Sequence, residues 1–297
     1  MNREVFTDRS GLSVEHMHFD NVSEVFNEPT ESPQWNVSRH LSYQTENRPP
    51  RDQVRWYGMR GNAKDVIKTV ERGWTDGLEK IHSAVVALRP PRIRAVRKRK
   101  RRGPAGDELD VQRVYSGDLD HAWSRTAREE SVIKRNKGGK TVTVIVHGGI
   151  SASTHSSSLF WRGAAAVVLS EMLQSMGLNT KIINADCSHI RTDRTPFVQT
   201  SITMKEPDER VDMAFIANIA LAGFLRVHGF CALLHSTREL PSGLGKVAPV
   251  RTESPIFQRN INSKVILVPE IMNEEQAKKF LNEQQEVFSV QVKGRNA

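Results

Sequence analysis

The residues with the clearest chemical potential lie in one short turn, His147-Gly148-Gly149-Ile150-Ser151-Ala152-Ser153. An imidazole and hydroxyls beside small residues could activate a nucleophile, direct oxygen atoms at a hard cation, or form a backbone-lined binding edge. Gly149-Ile150-Ser151-Ala152-Ser153 is close to a Gly-x-Ser-x-Gly nucleophile elbow, and Asp186, Asp193, His228 and His235 follow in an order usable by a serine hydrolase. Against hydrolysis, Ser153 replaces the last glycine, and the oxyanion-like His147-Gly148-Gly149 overlaps the elbow instead of lying on another strand. The expectation is no enzyme, with His147 as a strand-end residue hydrogen-bonded to backbone.

Other chemistry-bearing patterns are weaker. Gly138-Gly139-Lys140-Thr141 imitates the tail of a phosphate-binding loop, but Lys134 stands at the first glycine position and a strand follows, so a turn is expected. His16-Met17-His18, Cys187 with His189, and His228 with Cys231 lack the paired spacing of a zinc site. No cofactor and no metal are expected.

A second feature is electrostatic. The net charge is +9, and nine of the fourteen residues from Arg89 to Arg102 are Arg or Lys. Arg97, Lys98, Arg99, Lys100, Arg101 and Arg102 form its densest part and are the candidate polyanion contacts. A run without an apolar face repels itself, so the pattern predicts a mobile linker over 89–106. With no aromatic residue interleaved, any nucleic-acid binding would be electrostatic and sequence-independent. The acidic Asp107-Glu108-Leu109-Asp110 and Gly117-Asp118-Leu119-Asp120 could screen part of that charge.

The elements that must position these residues can be read from hydrophobic spacing. Thr141 to Val146 reads as a buried strand, Ala164 to Met176 as an apolar helix closed by Gly177, and Thr180 to Ala185 as a second strand. This βαβ unit leaves the His147–Ser153 turn at its carboxyl edge. Phe197 to Met204 reads as an edge strand, Val211 to Val227 as a helix, Phe230 to Leu234 and Lys264 to Val268 as strands. A last helix is capped by Asn273 and runs to about Phe288. Upstream, residues 62–88 are apolar at three- and four-residue spacing, an amphipathic helix or two helices broken near Gly73, whose face must dock on the α/β region or a second copy. The expected organisation is an irregular N-terminal arm over 1–50, a helical segment over 51–88, the basic linker over 89–106, an acidic and helical connector over 107–138 with a helix-prone His121 to Arg135, and an α/β domain over 139–292. The expected class is α/β with a doubly wound, mostly parallel sheet.

The element order over about 141–290 resembles a von Willebrand factor A-like domain. In that family the first turn reads Asp-x-Ser-x-Ser and, with a Thr and an Asp from other loops, holds a divalent cation. Here His147, Gly149 and Ser151 stand in the first three ligand slots and only Ser151 fits. His235-Ser236-Thr237 follows the expected fourth strand, without the acid. The resemblance thus implies a metal-deficient domain used for protein binding. Trp56-Tyr57-Gly58, Arg72-Gly73-Trp74-Thr75-Asp76-Gly77, Gly106-Asp107-Glu108-Leu109-Asp110 with Val114-Tyr115-Ser116-Gly117-Asp118, and Phe160-Trp161-Arg162-Gly163-Ala164-Ala165 are similar to an uncharacterised family of tailed phages and prophages.

These readings converge on a non-enzymatic phage accessory protein that binds another protein, with a ring (AAA+) ATPase as the partner class implied by the resemblance. The candidate binding edge is His147, Gly148, Gly149, Ser151 and Ser153. The alternative is a nucleic-acid-binding protein acting through Arg89–Arg102, and serine hydrolysis is a third reading. The longest apolar runs fall short of a bilayer span of about 20 residues. The two cysteines, Cys187 and Cys231, sit in strand-like segments. A reducing compartment is expected, the host cytoplasm in a viral setting.

Overall fold

The computed structural model describes residues 1–27, 36–46, 50–88, 96–106, 108–130, 141–149, 154–176, 178–190, 197–209, 212–241, 244–259 and 264–293. The chain divides into two compact units, a small one over Pro91–Lys134 and a larger one from the remainder.

The larger unit is a mixed α/β body. Its strands are β1 (Asn2–Thr7) and β2 (Ser13–Phe19), then β6 (Thr141–His147), β7 (Asn179–His189), β8 (Phe197–Lys205), β9 (Lys246–Val247) and β10 (Lys264–Val268); β3 to β5 belong to the small unit. The sheet has seven strands in the order β1-β2-β8-β7-β6-β10, with β9 paired to β7. Three of the five ladders on that path are parallel, β2 with β8, β7 with β6, and β6 with β10. The β6–helix–β7 unit lies where the hydrophobic spacing placed it, with α7 (Ser156–Ser175) as the crossover.

The expectation of an irregular arm over 1–50 is corrected. Its first twenty residues form a hairpin that extends the sheet. β2 is buried on both faces, and its polar residues hide this in the sequence. Buried Glu15 accepts from Ser236 Oγ at 2.6 Å and from Thr237 Oγ1 at 3.0 Å, and it faces Arg3 Nε at 3.5 Å. His16 and His18 both lie 2.8 Å from Ser201 Oγ. Buried polar groups with partners cost little. The same pairing makes β8 an interior strand between β2 and β7, not the expected edge strand.

Helices α4 (Ala63–Arg72) and α5 (Thr75–Leu88) do break at Gly73 and dock on the body. Asn62 and Asp65 form a capping box at the start of α4. Gly73 has φ of 81°, and a Cβ there would lie 2.7 Å from that of Ala214, so only glycine lets the two backbones approach. Val66, Val70, Trp74, Ile81 and Leu88 join one core cluster with α7, with α12 (Glu274–Lys293), and with the inward side of the sheet through Val142, Val144 and Val146. The opposite side, with Ile145, Ile183 and Cys187, is covered by Ala248, Val250 and Phe257 from the segment after β9 and the short α11 (Pro255–Gln258). The long helices thus share one core face, where a doubly wound sheet would divide them between two.

Phe230–Leu233 is helical (α10), not the expected strand. It continues α9 (Ala222–Phe224) and a π-helical stretch over Leu225–Gly229, and a short run that is apolar throughout cannot be told from a strand by period alone. The expected single helix over 211–227 is broken at Leu221, where α8 (Met213–Ala217) and a 3₁₀ turn meet the later stretch at 74°. Among the described residues no single helix is long and apolar enough to cross a membrane. The other helices of this unit are α1 (Glu24–Asn27), α2 (Val37–Glu46) and α3 (Pro50–Tyr57).

The small unit corrects two further expectations. Val96–Gly103, read as part of a mobile linker, is β3 of a three-stranded sheet in the order β3-β5-β4, with β4 at Glu108–Leu109. Its partner β5 (Trp123–Glu130) lies in the segment read as helix-prone. Between them are the short helix α6 (Val111–Tyr115) and a 3₁₀ turn at Leu119–His121. Pairing with β5 gives the charged β3 backbone the hydrogen bonds that its side chains could not foretell.

Candidate functional site

The site grows from the end of β6. Gly148 N donates to Ala185 O at 2.6 Å, so the turn keeps running along β7 past the strand end. Both glycines are pressed against β7. A Cβ at Gly148 would meet the Asn184 side chain at 2.9 Å, and one at Gly149 would lie 2.4 Å from Asp186 Oδ1. The glycines here serve close packing, where a phosphate loop would leave them open to a ligand.

His147 is buried, and its Nδ1 accepts from Gly149 N at 3.2 Å. Burial, with help from the nearby Arg162 charge, pulls its pKa down to about 4, so it is neutral at pH 7. Of the other candidate edge residues, Gly148 and Gly149 flank it, while Ser151 and Ser153 lie outside the described residues, as does Asp193.

Arg162 organises this edge. It is 1 % exposed, projecting from α7 in an otherwise apolar stretch. Its Nη1 donates to the carbonyl of His147 and to that of Gly149 at 3.1 Å. Its Nη2 lies 3.9 Å from Glu270 Oε1, just beyond the end of β10. Burial lowers its pKa to about 10, still high enough to keep the charge at pH 7, while Glu270 and Asp186 act to raise it. Asp186, from β7, is buried with Oδ1 lacking a hydrogen-bond partner. Burial pushes its carboxyl up to about 6, against the Cys187 backbone bond and Arg162. The strand-end carbonyls and two acids therefore converge around a guanidinium. Nothing in the turn motif pointed to Arg162 or Glu270; the signal was one arginine inside an apolar helix.

At the start of α7 a groove of about 630 Å³ is lined by Trp74, Phe160 and Trp161, with Ser156, Lys80 and Glu274 among its polar residues. A second buried arginine, Arg226, steadies the approach to α7. It donates to Trp56 O and, at 2.6 Å, to Thr154 O, with its guanidinium 4.0 Å over the Trp56 ring.

The remaining candidates are scattered. His235-Ser236-Thr237 ends a helical stretch, where Ser236 and Thr237 hold Glu15 and His235 Nε2 sits 2.8 Å from Val25 O; the fourth position at the sheet edge is instead filled by β10. His228 lies between Phe26 and Phe224, with neither ring nitrogen hydrogen-bonded, and burial lowers its pKa to about 3. Cys187 and Cys231 are buried free thiols, both raised by burial, Cys187 to about 12. Among the described residues no three His, Cys, Asp or Glu are grouped to hold a metal ion. Of the candidate polyanion contacts, Arg97 to Arg102 lie consecutively on β3, and Arg102 Nη2 is 3.8 Å from Asp110 Oδ2.

Residues 6–291 match the family described as Domain of unknown function (DUF7192), and the chain belongs to that family. No curated protein and no solved structure matches it.

Proposed function

We propose that this DUF7192 chain is a non-catalytic, metal-independent protein-binding scaffold, with the carboxyl edge of β6, β7 and β10 and the groove at the start of α7 as its contact region. The observation that carries the reading is the position of Arg162. In a von Willebrand factor A-like site a hard cation is held by oxygen atoms where strand ends converge. Here a guanidinium takes two strand-end carbonyls and stands beside Glu270 and Asp186. Such a fixed charge would repel a second cation at 4 Å by about 4 kcal/mol per unit charge at an effective dielectric constant near 20.

The order β8-β7-β6-β10, with β8 antiparallel to β7, supports the von Willebrand factor A-like reading for this half of the sheet. That resemblance implies a ring ATPase as partner class, and the motif resemblance implies a tailed-phage setting in the host cytoplasm. The groove offers aromatic walls of the kind that anchor protein contacts.

Calorimetric titration of the full chain with magnesium, manganese and calcium is expected to give no saturable heat; a saturable heat would refute metal independence. For the partner, an ATPase recovered from infected cells is purified and titrated against wild-type chain and Trp161→Glu. At least a tenfold loss is expected, and an unchanged affinity would remove the groove from the contact region.

A further inference from the structure

We infer that the ribbon formed by β3 and β5 is a docking surface for double-stranded DNA, held through its phosphates without sequence preference. The inference is independent of the scaffold reading, because every residue it uses lies in the small unit.

Residues 91–134 contain twelve Lys and Arg against seven Asp and Glu, so this short unit carries more than half of the chain's net charge. The register shows where that charge is densest. Lys98, Arg99, Lys100 and Arg101 stand opposite Arg128, Ala127, Thr126 and Arg125. Four consecutive rungs thus hold six cationic residues and no acid. Acidic residues lie toward the two ends: Glu129 and Glu130 are opposite Arg97 and Val96, and Asp110 is near Arg102. Asp118 is engaged by Arg113 at 2.6 Å and His121 at 2.8 Å. Among the ladder's register partners, acidic residues thus flank the four middle rungs.

Two of those rungs, Lys98 with Arg128 and Arg101 with Arg125, place like charges directly across the ladder, an arrangement that destabilises a sheet. A polyanion laid along the face of Lys98, Lys100 and Arg128 would turn the first of these repulsions into attraction. The spacing fits one class of polyanion. Residues i and i+2 on one strand face are about 6.8 Å apart, and each strand of a DNA duplex carries one phosphate per about 3.4 Å of helix axis, so every second phosphate keeps step with them along the axis. A two-stranded ribbon also matches the major groove of B-DNA, about 12 Å wide, whereas the deep, narrow groove of duplex RNA does not admit one. An extended acidic peptide carries at most one charge per about 3.4 Å, half the density of the duplex at one per about 1.7 Å.

The test is fluorescence anisotropy of the full chain with a labelled random-sequence duplex of about 30 base pairs, across a salt series. Neutralising four to five phosphates predicts a log–log salt slope of about −4. The combined variant Lys98→Thr, Lys100→Thr, Arg128→Thr keeps β-forming residues in the strands and is expected to lose at least about tenfold in affinity at 0.1 M salt, with a slope shallower by about 2 to 3. Charge-keeping Lys98→Arg, Lys100→Arg should bind as wild type, as should Lys278→Gln, Lys279→Gln on α12. Absence of binding at low salt would overturn the inference. So would equal affinity for duplex RNA or single strands, equal competition by polyglutamate, or loss of binding in the charge-keeping variant.

Discussion

Arg162 in the α/β body and the Lys98–Arg101 rungs of the small sheet carry the same sign of charge in opposite settings. Arg162 is enclosed, bonded to two carbonyls and set near two acids. The middle rungs of β3 stand across from Arg128, Ala127, Thr126 and Arg125, with no acid among them. A count of charges ranks the second region far above the first, yet the isolated arginine shapes the structure of the body. What differs is the neighbours each cation is given: two strand-end carbonyls and two acids for Arg162, other cations across the ladder for Lys98 and Arg101.

That contrast can be broken by experiment. Arg162→Met should destabilise the body by about 3 to 5 kcal/mol, because it leaves buried carbonyls and Asp186 without their cation, whereas a near-neutral result in chemical denaturation would show that Arg162 is no more structural than the β3 cations. Acidification should act on several buried groups together. His147 and His18 have folded pKa values near 4 and His228 near 3, below the unfolded 6.5, so their stabilisation is present above about pH 6.5 and is lost as pH falls through those folded values. A pKa lowered from 6.5 to about 4 corresponds to about 3 kcal/mol for each of His147 and His18, and the lower value of His228 to somewhat more. Asp186 works in the other sense: its raised pKa favours folding below about 4 and ceases to as pH rises through 6. Three histidines outweigh one acid, so stability should fall between pH 6.5 and 4, and Asp186→Asn should stabilise by about 1 to 3 kcal/mol at pH 7 but not at pH 4. Urea unfolding across that range checks both signs.

Smaller effects sharpen the contrast. His228→Phe removes a buried imidazole with no hydrogen bond while keeping a ring between Phe26 and Phe224, and a gain of about 1 to 3 kcal/mol is expected in thermal unfolding at pH 7. On the ribbon, Lys98→Thr replaces one member of a like-charge pair and should stabilise the small unit by about 0.2 to 1 kcal/mol, read from hydrogen exchange of β3 amides. A destabilisation there would mean that Lys98 is held as Arg162 is.

Much of the body was legible because its elements bury uniform apolar surfaces. The strands at 141–147 and 264–268, the crossover α7, the break at Gly73 and the Asn273 cap all follow from local pattern, the last with Asn273 Oδ1 accepting from Gln276 N at 2.9 Å. The hairpin at 2–19 was not legible, since Glu15, His16 and His18 read as surface residues until Ser236, Thr237 and Ser201 are brought from more than 180 positions away. The His147–Gly149 turn lies at a strand edge as the pattern placed it, but its chemistry depends on Arg162 fifteen residues on and on Glu270 beyond the end of another strand, a convergence no local motif encodes.

By itself, then, the order of residues determined where apolar runs would form strands and helices, and where charge would be dense, because both follow from near neighbours. Tertiary structure alone decided which polar residues were buried with partners, that a basic run would pair as a strand, and that a guanidinium would stand at the sheet edge. Those outcomes depend on groups distant in sequence, and a hydrogen bond or an ion pair has no energy until folding brings its second member within reach.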